Sequence, residues 1–173
     1  SSTSRGLGDV YKRQLKGLIA TVMLMSSSTF AQSVQLNQVY SLDSQTAQTL
    51  IDAAMTVCQK IQHNIAVVVV DGGGNTLMSK RHETVGPHNL GAAEKKAYTA
   101  LSTKMATMLL SQNAHENKDA KNLTTLSNLL LLGGGVPVRY ESQVVGAIGV
   151  AGAGGAKNDH YCADTAVKSI FNP

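Results

Sequence analysis

The apolar residues between positions 43 and 62 recur every three or four positions, which is the spacing of one helix face. This stripe consists of Ala47, Leu50, Ile51, Ala54, Val57, Cys58 and Ile61. Asp43 or Ser41 is suited to cap the helix, because a short polar side chain accepts a hydrogen bond from a free helix N–H. The pattern therefore predicts a first helix that ends near Gln62.

Two strand-like segments joined by a tight turn follow this helix. Residues 65–70 are mostly β-branched, which is typical of a central strand buried on both faces. Residues 76–82 are predicted to return as its neighbour. The connecting sequence Asp-Gly-Gly-Gly-Asn, at positions 71–75, indicates a hairpin turn, because glycine, Asn and Asp adopt positive φ angles at low cost.

A long helix is predicted next, over residues 88–112, with Pro87 at its start. The polar residues 113–122 are interpreted as a loop or loose turn. Leu129–Leu132 fits either a strand or the end of a helix, and periodicity does not distinguish them.

The C-terminal part is predicted to contain strands at residues 136–140 and 144–151 and a helix from about 158 to 171. The resulting order is α-β-β-α-β-β-α, with hairpins rather than parallel crossovers between the strands. This order favours an α+β fold, in which helices pack on an antiparallel sheet. Residues 32–173 show no internal repeat or change in composition, so we expect a single domain there.

Residues 1–31 are predicted to lie outside that fold. Basic residues precede an apolar segment at 17–25, and a run of small and polar residues ends at Ala31, which is the layout of a secretory signal. A buried N-terminal helix is the alternative. The first 14 residues, SSTSRGLGDVYKRQ, resemble a translated sequencing-adapter scar. We therefore expect a periplasmic or secreted mature chain, residues 32–173.

Charge and composition exclude some partners. The formal net charge is +4, but residues 1–31 hold four basic side chains and one acidic one. The remainder has 11 basic and 10 acidic side chains, so no basic surface for nucleic acid or an anionic membrane is predicted. Aromatic residues make up only 4% of the chain, which also disfavours base stacking. The mature chain contains no predicted membrane span.

Cys58 and Cys162 have two interpretations. In an oxidising compartment they could form a disulfide. Cysteines 104 positions apart, each on the apolar face of a predicted helix, are also typical of independent small hydrophobic residues. We favour the second interpretation.

A glycine-rich turn at residues 152–155 connects the last predicted strand to the last predicted helix, which we expect to begin at Asn158 and Asp159. Such a turn lets backbone approach a ligand closely and directs free helix N–H groups towards it. Its Gly-x-Gly-Gly spacing does not match the dinucleotide motif, and no parallel βαβ unit surrounds it. Close packing or backbone contact with another ligand is the remaining interpretation.

Four separated motifs resemble one known family. They are VVVVDGGGNTLMSKR, EKKAYTALSTK, GGGVPV and VVGAIGVAGAGGAKNDHYCADTA. In this order and spacing they are similar to the haem-binding GlcG/HbpS-like family, which includes the C-terminal domain of PduO-type proteins. The resemblance implies a profilin-like fold, with a five-stranded antiparallel sheet between helices, and a homo-oligomer.

The resemblance also implies haem as a cofactor. Bound haem needs an axial ligand, an apolar surface and groups that hold its two propionates. His88 is our candidate for the iron ligand and His82 the alternative. Arg81, Lys96 and the glycines Gly152, Gly154 and Gly155 are candidates for the propionate side. The alternative for the two histidines is that they are solvated loop residues. The alternative for Lys96 is that it belongs to a charged helix face.

The predicted function is therefore an exported protein that captures, stores or degrades haem. A pocket for a small organic acid, with Arg81 as its clamp, is a second hypothesis from a different class. A sensor subunit for a two-component kinase is a third. No catalytic residue is assigned, and whether the protein is an enzyme stays open.

Overall fold

A capped helix begins the regular structure. The computed structural model describes residues 34–171, and the predicted signal at 1–31 lies outside them. Helix α1 spans Ser44–Lys60, and Asp43 caps it by accepting a hydrogen bond from the Thr46 N–H at 2.8 Å, as predicted. All buried residues of α1 belong to the predicted stripe, whereas Val57 and Ile61 of that stripe are only half-buried. The buried ones are Ala47, Leu50, Ile51, Ala54 and Cys58.

Four strands form one antiparallel sheet within the described residues. They are β1 (Ala66–Asp71), β2 (Thr76–Arg81), β3 (Gly135–Tyr140) and β4 (Gln143–Ala151). The sheet order is β2-β1-β4-β3. The predicted α+β class and its two hairpins are confirmed. The expected number of five strands is wrong for this part of the chain, where four are present.

The predicted long helix is broken in two. Helix α2 spans His88–Thr103 and α3 spans Thr107–Glu116. Between them Lys104 adopts a left-handed conformation with φ of 55°, which ends α2. The hydroxyl of Thr107 then donates to the Leu132 carbonyl at 2.7 Å and accepts the Gly135 N–H at 2.8 Å. Because these partners lie 25 and 28 residues away, the break depends on tertiary contacts.

The polar segment after α3 is more regular than predicted. Helix α3 extends to Glu116, and Asn117 caps a one-turn helix, α4, at Lys118–Lys121. A 3-10 turn follows at Asn122–Thr125. Residues 129–132 form neither of the predicted elements. A side chain of α2 binds their backbone, since the Leu130 N–H donates to the Thr99 hydroxyl at 2.8 Å.

The last helix, α5, spans Ala156–Phe171 and begins two residues earlier than predicted. The Asp159 N–H donates to the Gly155 carbonyl, so Asp159 lies in the first turn and does not open the helix. Cys162 of α5 is disulfide-bonded to Cys58 of α1, with the two Cα atoms 5.4 Å apart. The favoured interpretation of independent cysteines was wrong, because the two helices pack side by side on the same face of the sheet.

Helices cover both faces of the sheet. Helices α1 and α5 pack on one face against large residues such as Val67, Val69 and Ile148. Helix α2 packs on the other face, where the contacts are mostly alanine and valine. No helix within residues 34–171 has the length and apolar character that crossing a bilayer requires.

Candidate functional site

Three connecting segments meet at one edge of the sheet because the strands are antiparallel. Ala66, at the start of β1, pairs with Arg81 at the end of β2 and with Ala151 at the end of β4. Residues 61–65, 82–88 and 152–155 therefore lie together, and we call them the loop edge. Helices α2 and α5 also begin here, so two helix N-termini place partial positive charge at this edge.

The glycine-rich turn at residues 152–155, which we call the glycine loop, is in contact with the histidine-containing segment at residues 82–88. Gly152 has φ of 103°, and a Cβ added to it would lie 2.9 Å from Cγ1 of Val85 and 3.6 Å from Cγ of Asn89. Because Val85 and Asn89 flank the start of α2, the structure brings the predicted glycines and histidines to the same surface.

His82 is held by a short hydrogen-bond chain. Its side chain is 26% exposed, and its Nδ1 lies 2.9 Å from the Thr84 hydroxyl and 3.3 Å from the Thr84 backbone nitrogen. The Thr84 hydroxyl also accepts from Nδ2 of Asn64 at 3.1 Å. Because the Thr84 backbone N–H donates to Nδ1, the neutral ring carries its proton on Nε2. Nε2 would ligate a metal only after that proton is lost or moves to Nδ1.

His88 is the first residue of α2 and is exposed. Its ring folds back over Gly86, since a Cβ on that glycine would lie 3.0 Å from Cε1 of His88. Pro87 precedes it at the N-terminus of α2. The ring is thus accessible to a ligand but is not enclosed by the rest of the described chain.

Arg81 lies on the same edge and is exposed. Its Nη1 donates to the carbonyl of His82 at 3.3 Å, to that of Glu83 at 3.4 Å and to that of Val85. All these partners are neutral carbonyls. Among residues 34–171 no ion pair joins Arg81 to the Glu83 carboxylate. The guanidinium charge is therefore not cancelled by the Glu83 carboxylate.

Lys96 points into the protein, where it is 1% exposed. Its Nζ lies 2.7 Å from Oδ2 of Asp159 and donates to the Val150 carbonyl at 3.0 Å. This position favours a structural role over the predicted direct contact with a ligand carboxylate. Asp159, interpreted from sequence as a helix-terminal charge, is itself buried and is part of this ion pair.

The glycine loop has three residues with positive φ. The angles are 103° at Gly152, 78° at Gly154 and 146° at Gly155. A Cβ on Gly155 would meet no atom within 4 Å, so the backbone conformation and not packing requires glycine there. Gly154 and Gly155 are exposed, and their backbone is accessible from solvent.

His63 also lies at this edge, although it was not among the candidates from the sequence. Its backbone N–H donates to the Cys58 carbonyl at 3.0 Å. Its ring lies against Gly154, and its Nε2 is 3.3 Å from Nδ2 of Asn158. The sequence contained one indication of this position. His63 lies just before β1, and the start of β1 is at the same edge of the sheet as the end of β4, which the glycine loop follows.

The two other histidines lie on helices. His115 is exposed in the last turn of α3 and not in a loop. His160 is partly buried on α5, and its Nδ1 has no hydrogen-bond partner within the described part of the chain. The same residues, 34–171, contain no group of three or more His, Cys, Asp or Glu that could hold a metal ion.

Four surface clefts, of about 200 to 560 Å³, lie away from the loop edge. The largest runs between the outer surfaces of α1 and α5, and another of about 390 Å³ lies beside Tyr98 on α2. Neither His82, His88 nor the glycine loop lines any of these four. With His88 and Gly154 exposed, the loop edge is an open surface.

Comparison with known proteins identifies the family. A family model described as "Haem degrading protein HbpS-like" matches residues 42–168. The chain belongs to the HbpS-like family. The resemblance read from the four motifs is thereby confirmed.

Individual HbpS-like relatives agree with this assignment. Protein GlcG of Escherichia coli K12 is 31% identical over 110 residues, which cover 64% of this chain and 81% of GlcG. The crystal structure of HbpS has a TM-score of 0.74 and 32% identity, covering 81% of this chain and 97% of HbpS. The structure of a PduOC:haem complex has a TM-score of 0.67 and 26% identity, covering 75% of this chain and 94% of that one.

Proposed function

We propose that this HbpS-like protein binds haem at the loop edge and serves to capture, store or degrade it. The family description and the haem complex of the related PduOC support the choice of ligand. The single observation in this chain that carries the proposal is the contact between Gly152 and Val85. It brings imidazole, guanidinium and free backbone N–H groups to one surface.

The residues at this edge fit the needs of haem. His88 and His82 offer imidazoles for the iron, and Arg81 with the glycine loop offers partners for the propionates. Bound haem would supply a redox-active iron centre. The chain's own contribution would be to bind and orient it, with Thr84 holding the ring of His82 through Nδ1.

The apolar surface that haem requires is limited within one protomer. Val85, which is 7% exposed, and the partly buried Leu90 are apolar side chains here, while Gly154 and His88 face solvent. A second copy of the chain would cover the open side of the macrocycle. Homo-oligomerisation is therefore part of the proposal.

A haemin titration tests the site. We expect wild-type protein to give a saturable Soret shift, His88→Ala and His82→Ala each to weaken it, and the double variant to abolish it. His115→Ala is the matched control, because His115 is exposed on α3 and remote from the edge. A double variant that binds haemin like wild type would refute the assignment of these ligands.

Export is a separate part of the proposal. It is supported by the basic and apolar pattern of residues 1–31 and the disulfide between Cys58 and Cys162. Expression of the full sequence, followed by fractionation and intact mass measurement, should yield an extracytoplasmic product that begins at Gln32. An unprocessed cytoplasmic product would contradict it.

A small organic acid is the alternative ligand. Arg81 has neutral hydrogen-bond partners, and two helix N-termini favour an anion at this edge. Thermal stabilisation by hydroxy acids, lost in Arg81→Gln, together with weak and unsaturable haemin binding, would favour this reading over haem.

A further inference from the structure

One buried carboxylate joins the middle of α2 to the glycine loop. Asp159 is 4% exposed, and its Oδ2 lies 2.7 Å from Nζ of Lys96. Its other oxygen, Oδ1, accepts the backbone N–H of Ala153 at 2.8 Å. Lys96 also donates to the carbonyl of Val150, at the end of β4. The pair therefore links α2, β4, the glycine loop and α5.

The backbone around this pair leaves no room for a side chain. Gly134 has φ of 124°, and a Cβ added to it would lie 2.9 Å from Cβ of Asp159 and 3.0 Å from Nζ of Lys96. It would also overlap the Val150 carbonyl oxygen. Both charges are thus enclosed, and a buried charge is tolerated only when it is paired and hydrogen-bonded.

The glycine loop is the segment that benefits from this arrangement. Glycine loses more conformational freedom on folding than any other residue, so a loop with three of them needs external hydrogen bonds to hold one shape. Ala153 supplies them, since its N–H is bound by Asp159 and its carbonyl accepts from Nδ2 of Asn158 at 2.8 Å. Lys96 in turn fixes the carboxylate of Asp159.

We infer that Lys96 and Asp159 are positioning residues, which hold the glycine loop in the conformation that presents its backbone to the ligand without touching that ligand. The pair is neutral as a whole and closed to solvent, so it adds no net charge at the loop edge. The identity of the ligand rests on the proposed function, whereas the conformation of the loop does not.

Hydrogen exchange of the ligand-free protein tests this positioning role. Lys96→Met and Asp159→Asn should each speed exchange of the Ala153 amide, which Asp159 holds, by at least about tenfold relative to amides of β1. Lys95→Met and Asp164→Asn are the matched controls, since Lys95 is exposed on α2 and Asp164 pairs with Lys168 on the surface of α5. Unchanged loop exchange, or an equal rise throughout β1, would overturn the inference.

Ligand binding gives a second readout. The double variant Lys96→Met/Asp159→Asn removes both charges of the pair and so keeps the net charge unchanged. It should weaken haemin binding by about tenfold, leave the salt dependence of the affinity unchanged and leave binding of haemin dimethyl ester unaffected. A shallower salt dependence would mean that Lys96 contacts a propionate directly, and the inference would be wrong. If wild type binds no haemin, the proposed function fails while the exchange experiment still decides the role of the pair.

Discussion

Gly149 of β4 lies directly against the backbone of Ala93 in α2. A Cβ added to Gly149 would overlap the Ala93 carbonyl oxygen and lie 2.7 Å from the nitrogen of Ala97. Because both neighbours are helix backbone, neither can move aside without shifting α2. The close approach explains why alanines make up most of the apolar contacts of α2 on this face.

Gly149→Ala should destabilise the protein by about 3 kcal/mol or more, since the overpacked atom meets backbone and not a flexible side chain. Denaturant titration followed by circular dichroism measures the change. If the variant does not fold, loss of soluble protein is the equivalent result. A variant as stable as wild type would show that α2 lies farther from the sheet than described.

Gly91→Ala is the opposite case on the same helix. Gly91 is exposed within α2, and an added Cβ would meet no atom within 4 Å. Alanine is favoured over glycine in a helix interior by about 1 kcal/mol. We therefore expect a gain of about 0.5–1 kcal/mol in the free energy of unfolding. A loss of stability would argue against regular helix at this position.

Removal of the disulfide should lower stability strongly. Cys58 and Cys162 are separated by 104 residues, and closing a loop of that size in the unfolded chain is worth about 4–5 kcal/mol in the chain-entropy model. Comparison of wild type with Cys58→Ala/Cys162→Ala, with and without reductant, measures the effect. We expect reductant to lower the unfolding free energy of wild type but not that of the double variant. Equal sensitivity of both proteins would contradict it.

Asp71 should contribute a pH-dependent part of the stability. The side chain and then the backbone N–H of Asn75 hydrogen-bond to it and hold its pKa below the usual value. Its folded-state pKa is lowered, so its stabilisation is present above the unfolded pKa of about 3.9 and is lost as pH falls through the folded value.

The measurement compares Asp71→Asn with wild type from pH 6 to 2. The difference in unfolding free energy should be constant above about pH 5 and shrink below pH 4. It should not exceed about 1 kcal/mol, because the turn is solvated. Asp43 and Asp52, whose pKa values are also lowered, remain in both proteins and cancel. A difference in unfolding free energy that stays constant down to pH 2 would refute the lowered pKa of Asp71.

Thr84→Val should weaken haemin binding by about tenfold if His82 is a ligand. The change keeps the shape of the side chain but removes the hydroxyl that orients the ring through Nδ1. Thr124→Val, on the exposed 3-10 turn, is the control. If Thr84→Val leaves the affinity and the Soret spectrum unchanged, His88 is the better candidate for the iron.

Local sequence patterns determined much of the architecture. Asp43 starts α1, the three glycines after Asp71 close the first hairpin, and residues 66–70 are fully buried in β1 as their composition predicts. These features depend on backbone conformation and on hydrophobic spacing, which are properties of a few neighbouring residues. The family motifs then placed histidines, Arg81 and the glycine loop among the candidates.

Tertiary contacts decided what the sequence left open. Lys96 and Lys95 are adjacent and identical in type, yet only Lys96 is enclosed, because a carboxylate 63 residues away lies within 2.7 Å of it. The packing of α1 beside α5 brings His63 into contact with Asn158 at the loop edge and Cys58 into a disulfide with Cys162. Partners this distant leave no periodic signal in either segment, so only the folded chain brings them together.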